Sequence, residues 1–513
     1  MHSFQALRAA WEGQPVSSSV GIPAWPASGV AIEGDFSGIQ RFVSRPVPGA
    51  SGAARRLRSR SFRVLALTRL VAAAVEQRFK DADGHLFYAA GGRFLVCASP
   101  HAGWREQLVS LQRDLDGELL SAYHGELVFH IAGAEFTDGK IPIAALGEAM
   151  RARKEMPFAY ALRNGVGWAT SRFAFSATDH GRCDGCGSTA RLYGGYGDSE
   201  KLCQTCIDDR ELGKRLLSAE RTALTRSRQG FISLFGEGWG ISTDGPLTIP
   251  AMSHAPLDHH GEPAPFETIA RMAEGRPYLA YLRIDADRIG QQFHGLAGDA
   301  RRIWGLSRLL DGAFSSAVSN LIRSNYPSIY PVYGGGDDLF VIGPWNEVLG
   351  FAAAWRSEFR TISGDRLTFS AGVALAKPRQ HILTKSDEAE HALDGQAKIP
   401  RDSIHALGST IAWSEFAHVL EEARRLAGLH ATGQIKGALL HNIIELHGRW
   451  RKGDARWNYL LFYQVERNLA GEARSFVKRA FLSPGDLWKY ADFVVRYAML
   501  HSAAREKDDL CLT

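Results

Sequence analysis

The run Tyr330-Pro331-Val332-Tyr333-Gly334-Gly335-Gly336-Asp337-Asp338-Leu339-Phe340-Val341-Ile342 constrains this chain more than any other stretch. Apolar residues lead into three glycines, two carboxylates follow, and apolar residues lead away. Glycine supplies turn dihedrals that other residues resist, so the pattern predicts a β-hairpin with Asp337 and Asp338 at its tip. Taken alone, Gly-Asp is also ordinary chemistry for a solvated turn. Two adjacent carboxylates repel unless water or a cation intervenes.

A second acidic pair narrows the choice. Tyr278-Leu279-Ala280-Tyr281-Leu282-Arg283-Ile284 reads as a strand and runs into Asp285-Ala286-Asp287. A helical pattern from Ile303 to Ile322 separates it from the hairpin. A helix candidate, Glu347 to Phe359, and a strand candidate, Leu367 to Ala374, follow. The order β-α-β-β-α-β is the ferredoxin-like unit of α+β proteins. Its first and third strands are neighbours inside the sheet, so Asp285, Asp337 and Asp338 are expected to converge on one edge. Three carboxylates make an oxygen-ligand site for Mg²⁺ or Mn²⁺. Two such ions can activate an attacking hydroxyl and neutralise a departing pyrophosphate. These residues point to nucleotidyl transfer.

The same unit is written earlier in the chain. Gly29 to Asp35 is a strand, Ala54 to Phe79 a long helix, and His85 to Cys97 a hairpin with Gly91-Gly92 at its turn. Trp104 to Leu120 and Glu126 to Phe136 complete it. Side by side, Asp35 matches Asp285 and Ser37 matches Asp287, with Gly91-Gly92 set on Gly335-Gly336. Arg93 and Phe94 then replace Asp337 and Asp338, and the first copy cannot build the same metal site. One armed and one disarmed copy suggest a pseudo-symmetric pair sharing a cleft.

Between the copies stand Cys183-Asp184-Gly185-Cys186 and, sixteen residues on, Cys203-Gln204-Thr205-Cys206. Two such knuckles predict a tetrathiolate Zn²⁺ site, structural because no coordination position stays open. Cys97 lies in an apolar strand and reads as core; Cys511 is terminal. The expected organisation is a lead-in (1–28), a first unit (29–145), a linker with the zinc-binding insert (146–274), a second unit (275–412) and a C-terminal helical bundle (413–513). In the bundle, Leu487, Ala491, Val494 and Ala498 repeat at helix spacing, and Trp450, Trp457, Phe462 and Trp488 read as core. Pro484 and Gly485 are expected to separate its last helices.

Composition excludes little. A formal net charge of +5, from 60 basic and 55 acidic residues, does not by itself indicate nucleic-acid binding. Arg55, Arg56, Arg58, Arg60 and Arg63 cluster, as do Arg449, Arg451, Lys452 and Arg456; each set could meet phosphates or form a solvated helix face. No apolar run approaches the ~20 residues of a membrane span, and the N-terminus lacks the shape of a secretion signal. With thiols arranged for zinc rather than disulfides, the expected compartment is the cytoplasm.

Taken together, these residues resemble the polymerase-cyclase large subunit of type III CRISPR effector complexes. The resemblance rests on Gly34-Asp35-Phe36-Ser37-Gly38-Ile39-Gln40, on Leu57 to Phe62, on the four cysteines and on Gly335-Gly336-Asp337-Asp338. Ala397-Lys398 and Ile411-Ala412-Trp413-Ser414-Glu415-Phe416 extend it. It implies two palm (nucleotide cyclase-like) domains sharing a composite ATP site and, when guide RNA pairs with target RNA, synthesis of cyclic oligoadenylates. It implies that Asp285, Asp337 and Asp338 hold the metals, that Lys398 contacts phosphates, and that Gly335 and Gly336 let backbone approach ATP. It further implies that Ser37, Gly38, Gly91 and Gly92 seat the ATP whose 3′-hydroxyl attacks, and that Asp287 serves nucleotide binding as the second acid of its strand. The implied partners are a guide-end-binding subunit, small helical subunits, guide RNA and target RNA, with no membrane. Only about 28 residues precede the first palm, and they hold no His-Asp pair, so the resemblance implies a form without the family's HD-type DNase domain. An inactive scaffold of such a complex and a stand-alone diguanylate cyclase are the competing readings. The intact carboxylates weigh against the first, the insert and bundle against the second.

Overall fold

Strand β12 (Leu279–Ala286) of the second unit is apolar on both faces, and the computed structural model explains why. The structure describes residues 3–45, 52–123, 125–160, 180–194, 200–216, 222–228, 230–242, 244–249, 254–261, 263–482 and 486–502. Cys511, Pro484 and Gly485 lie outside them. Ala280, Leu282 and Ile284 face one apolar core, which includes the unit's own helices and the C-terminal bundle. Leu279 and Tyr281 face the other, shared with the first unit. A sheet covered on both faces reads as a continuous hydrophobic run rather than an alternation.

The first unit comprises β1 (Gly29–Ser37), α2 (Ile39–Ser44), α3 (Ala53–Arg78), β2 (His85–Ala90), β3 (Arg93–Ala98), α4 (Trp104–Tyr123), β4 (Val128–Phe136) and α5 (Ile143–Lys154). Its sheet has the order β2-β3-β1-β4. After it come the insert, β5 (His180–Arg182), β6 (Thr189–Gly194), β7 (Lys201–Cys203) and α6 (Gln204–Arg215), and a small sheet of β8 to β11 between Thr222 and Ile249. The second unit adds to β12 the helix α7 (Ala300–Gly312), β13 (Tyr330–Gly335), β14 (Asp338–Pro344), α8 (Trp345–Ser363), β15 (Phe369–Ala376), α9 (Ile382–Ala392), β16 (Ser403–Ala406) and β17 (Ser409–Ala412). Its sheet order is β13-β14-β12-β15-β16-β17. In each sheet the first and third strands of the unit are therefore interior neighbours, as the β-α-β-β-α-β order predicts.

The bundle holds α10 (Trp413–Ala431), α11 (Gly437–Arg451), α12 (Trp457–Asn468) and α13 (Ala491–His501). Leu487, Ala491, Val494 and Ala498 are buried as their spacing demands, the leucine and valine contributing about 1.5–3 kcal/mol each. Phe462 is half exposed and Trp450 partly so, unlike their expected place in the core. Both stand where the amphipathic stripe of their helix turns outward.

Four further expectations are corrected. Residues 1–28 are more than a lead-in: Phe4–Trp11 forms α1, capped by Ser3, whose side chain accepts the Ala6 amide at 3.2 Å. Leu7 and Trp11, four apart, bury one face against α7, and Arg302 Nε donates to the Trp11 carbonyl at 3.0 Å. The first unit runs past 145, because α5 packs on β4 and β1. Arg60 and Arg63 of α3 do not belong to a solvated face. Arg60 and Arg63 are buried on Asp209 of α6, at 3.0 and 2.6 Å, with Ser59 donating to the same carboxylate at 2.8 Å. At the bundle, Arg449 pairs with Glu445 and Arg456 with Asp454.

The fourth correction concerns the alignment of the two hairpins. Ala90 pairs with Arg93, and Gly335 with Asp338. Both hairpins also carry a bulge just before a tyrosine, Tyr88 and Tyr333. Gly91 thus corresponds to Gly336, Gly92 to Asp337 and Arg93 to Asp338, one residue away from the match that glycines alone suggest. The two-residue turn, rather than the glycine count, fixes the register.

Candidate active site

Antiparallel pairing puts Asp285 of β12 directly across from Asp338, the first residue of β14. Asp337 sits in the turn before it, and its carbonyl accepts the Ala286 amide at 3.0 Å, extending the ladder by one bond. Oxygens of Asp285, Asp337 and Asp338 all lie within 4.8 Å of one another. Burial, then the charges of Asp285 and Asp337, hold the Asp338 carboxyl well above the usual carboxylate range. Burial followed by Asp285 raises Asp337 in the same direction. Three hard oxygen donors brought this close together are a donor set suited to Mg²⁺ or Mn²⁺.

Lys398 follows a π-helical turn (Leu393–Ala397) that extends α9. Its ammonium lies 2.8 Å from Asp285 and 2.9 Å from Asp394, one helical turn back. Burial works against its charge, but these two carboxylates outweigh it and hold the ammonium protonated. The spacing of Asp394 to Lys398 was available in the sequence as an i, i+4 pair.

Asp287 does not join the cluster. It is buried, and its carboxylate accepts Ser370 Oγ at 2.7 Å, Thr368 Oγ1 at 2.8 Å and the Asp402 amide at 3.0 Å. Being two residues beyond Asp285 on a strand end that bends over β15, it braces that corner. Asp311 of α7 was missed by sequence reasoning. Its buried carboxyl, raised by burial, accepts the backbone amide of Gly336 and so steadies the turn that carries Asp337. A single acid amid Leu309, Leu310, Ala313 and Phe314 was the only sign of it.

The first unit keeps the geometry and loses the chemistry. Asp35 faces Arg93 in the same register, with Arg93 Nη2 at 3.1 Å and Lys154 Nζ also in contact. A built-in guanidinium stands where the second unit has a carboxylate.

A cavity of about 630 Å³ lies between the two units. Gly38, Gly91 and Gly92 line it from the first, Gly334, Gly335 and Asp338 from the second, and Val64 and Leu65 of α3 give it an apolar wall. Ser37 lies just outside, in a neighbouring cavity. Arg283, buried two residues before Asp285, donates to Tyr333 Oη at 2.8 Å and Ser386 Oγ at 2.6 Å. Ser386 in turn meets Ser44 of α2 at 3.2 Å, so a polar chain joins the units beneath the cavity.

In the insert, sulfurs of Cys183, Cys186, Cys203 and Cys206 are buried within 4.8 Å of one another. A hairpin and the start of α6 supply them, and the four soft donors suit Zn²⁺. Cys97 is buried in β3 as expected. Among the described residues no helix is long and apolar enough to cross a membrane.

A carboxylate-bearing palm set face to face with a degenerate one across a shared cavity defines a class: two-palm proteins whose palm is nucleotide cyclase-like. The family model for the Cas10/Cmr2 second palm domain matches residues 278–405, and that for Csm1 subunit domain B matches residues 30–156. Both matches, one in each unit, make the chain similar to Cas10/Csm1 proteins, the large subunits of type III-A CRISPR complexes. It is 25% identical over 516 residues to the Thermococcus onnurineus (strain NA1) CRISPR system single-strand-specific deoxyribonuclease Cas10/Csm1, covering 85% of this chain and 64% of that protein. The corresponding Mycobacterium tuberculosis (strain H37Rv) protein is 24% identical, with 86% and 62% covered. The chain therefore spans somewhat under two thirds of the length of these relatives. Among solved structures, a Csm1-Csm4 cassette in complex with cA3 matches with a TM-score of 0.69 at 18% identity, over 96% of this chain and 72% of that one. The apo cassette matches with a TM-score of 0.69 at 19% identity, over 93% and 70%.

Proposed function

We propose that this protein joins ATP molecules into cyclic oligoadenylates as the large subunit of an RNA-guided type III-A complex, switched on by target RNA. The in-register juxtaposition of Asp285 and Asp338, with Asp337 beside them on a cavity shared by two palms, carries this reading. Solved relatives described as Csm1-Csm4 cassettes with one ATP, pppApA or cA3 support it.

In this reading Asp285, Asp337 and Asp338 hold Mg²⁺ or Mn²⁺, which would lower the charge on the reacting phosphates. Lys398, free to exchange Asp285 for a ligand, meets the triphosphate as a point charge. Gly335 and Gly336 admit the nucleotide close to backbone. Gly38, Gly91 and Gly92, with Ser37 at the rim, seat the nucleotide whose 3′-oxygen bonds to the α-phosphorus of the other. The bond to the β-phosphate breaks, pyrophosphate leaves, and the 3′-hydroxyl proton passes to solvent. Asp287 acts by bracing the strand end. The four cysteines hold a structural Zn²⁺, and a guide-end-binding subunit, small helical subunits, guide RNA and target RNA complete the assembly.

The test is the assembled complex with cognate target RNA, ATP and Mg²⁺. Replacing Asp337 and Asp338 together by Ala should abolish oligoadenylate and leave RNA binding intact. Undiminished product from the double variant overturns the assignment.

A further inference from the structure

Ten large apolar side chains are exposed among the described residues, and five of them stand on one corner of the C-terminal bundle. Trp450 ends α11, and Tyr459, Leu460, Phe462 and Tyr463 lie on α12. The helix α12 is anchored by Leu461 and Val465, four apart and fully buried. Tyr459, Phe462 and Tyr463 follow the i, i+3, i+4 spacing and so form a single stripe on its outer side. Tyr459 is 81% exposed and Tyr463 60%. Trp450 is held beside them by stacking on His447, with ring centroids 5.1 Å apart. Apolar surface gathered in this way marks a contact with a partner, whereas scattered exposed rings need no explanation.

The charge around the stripe narrows the partner. Residues 449–479 hold eight basic side chains against three acidic ones, Asp454, Glu466 and Glu472. That surplus of five equals the formal net charge of the whole chain, +5. The cations reach the rings themselves. The Lys478 ammonium lies 5.4 Å from the centre of the Phe462 ring, and Arg467 Nη1 donates to Tyr463 Oη at 3.3 Å. Lys452 and Arg467 are exposed, and neither has a carboxylate partner among the described residues. A second copy of this chain would bring the same positive surplus and be repelled, whereas a polyanion is drawn in. Exposed rings set among cations suit one polyanion in particular, a single strand whose bases stack while its phosphates meet the charges. We propose that Trp450, Tyr459, Phe462 and Tyr463, with Lys452 and Arg467, form a binding face for single-stranded RNA. Its sequence preference is weak, because every base has a π-face to offer. This inference rests on the reading of the protein as a subunit of an RNA-guided complex. It gives RNA a place on elements that line neither cavity beside the palms.

The experiment measures binding of a fluorescently labelled single-stranded RNA to the full chain, without ATP or divalent metal. An abasic strand of the same length, with the same phosphates and no bases, is measured beside it. Three forms are compared: unaltered, Tyr459→Leu with Phe462→Leu and Tyr463→Leu, and Lys452→Gln with Arg467→Gln. Leucine keeps the apolar surface and the helix but removes the π-faces. The leucine variant should bind RNA at least tenfold more weakly and bind the abasic strand as the unaltered chain does. The glutamine pair should weaken both strands and reduce the slope of log affinity against log salt by about 1.4. Unchanged RNA affinity in the leucine variant overturns the proposal, as does an equal loss for the abasic strand. If that variant keeps its RNA affinity and the assembled complex instead sheds a protein subunit, the face is a protein interface and the proposal falls. Tighter binding to phosphatidylserine vesicles than to RNA makes it a membrane contact and overturns the proposal too. An unaltered complex that makes no oligoadenylate sinks the functional reading instead, and leaves a ring-dependent affinity for RNA in place.

Discussion

Gly91 and Gly336 meet turn against turn across the two palms: a Cβ built on Gly91 would stand 3.1 Å from the Gly336 Cα and 3.2 Å from its amide nitrogen. Both have positive φ, +56° and +64°, where a side chain is strained whatever space it finds. Gly91→Ala should cost about 1–2 kcal/mol in stability and, by prising the two turns apart, lower oligoadenylate synthesis at least tenfold. Thermal denaturation and product formation check the two effects. Full activity in a folded Gly91→Ala variant would mean that this contact is dispensable.

The raised Asp338 carboxyl carries a pH signature. An acid whose folded value lies above its unfolded value favours folding below the ordinary carboxylate range, and that benefit is lost as pH rises through the raised value. In the metal-free protein near neutral pH, Asp338→Asn should therefore increase stability, with the gain disappearing as pH falls into the ordinary carboxylate range. Mg²⁺ or Mn²⁺ should raise the melting temperature of the parent protein and not of the variant. Equal metal responses would remove Asp338 from the ligand set.

Lys398 sits between Asp285 and Asp394 with the reach to trade one of them for a phosphate. Lys398→Met should raise the KM for ATP and cut turnover by 10- to 100-fold, and Lys398→Arg should restore part of the affinity. An unchanged KM in the methionine variant would leave this lysine a merely structural partner of Asp285.

Asp209 neutralises two buried arginines of α3 from within α6. Removing one partner from such a group leaves charges stranded, at a cost of about 3–5 kcal/mol. Asp209→Ala should lower urea stability by that amount, whereas the exposed Arg226–Glu237 pair should be worth under about 1 kcal/mol. Loss of Zn²⁺ to a chelator should expose the same interface to amide exchange, because α6 begins at the last two cysteines.

Much of this was legible beforehand because it depends on local patterns. The duplicated β-α-β-β-α-β order, the pairing of Asp285 with the hairpin and the four-cysteine cluster follow from strand periodicity, glycine turns and knuckle spacing. What escaped depends on long-range neighbours. Nothing near Arg60 or Arg63 in sequence announces Asp209, some 150 residues on, so their burial could not be told from a solvated face. The glycines misaligned the hairpins by one residue, because the register answers to the turn and the bulge before Tyr88 and Tyr333. Asp287 looked like a site carboxylate through its spacing from Asp285; the hydroxyls that occupy it lie on a different strand.

Helix α3 starts against the second palm, where Tyr330 Oη donates to the Ala54 carbonyl at 2.5 Å, and runs on beneath the sheet of the first. It is a common axle for both halves, and the insert is bolted to it through Asp209. One rod is thus packed against all three parts, and parting the halves would break its hold on Tyr330. Whatever strain the insert feels is handed first to that rod, which touches both halves.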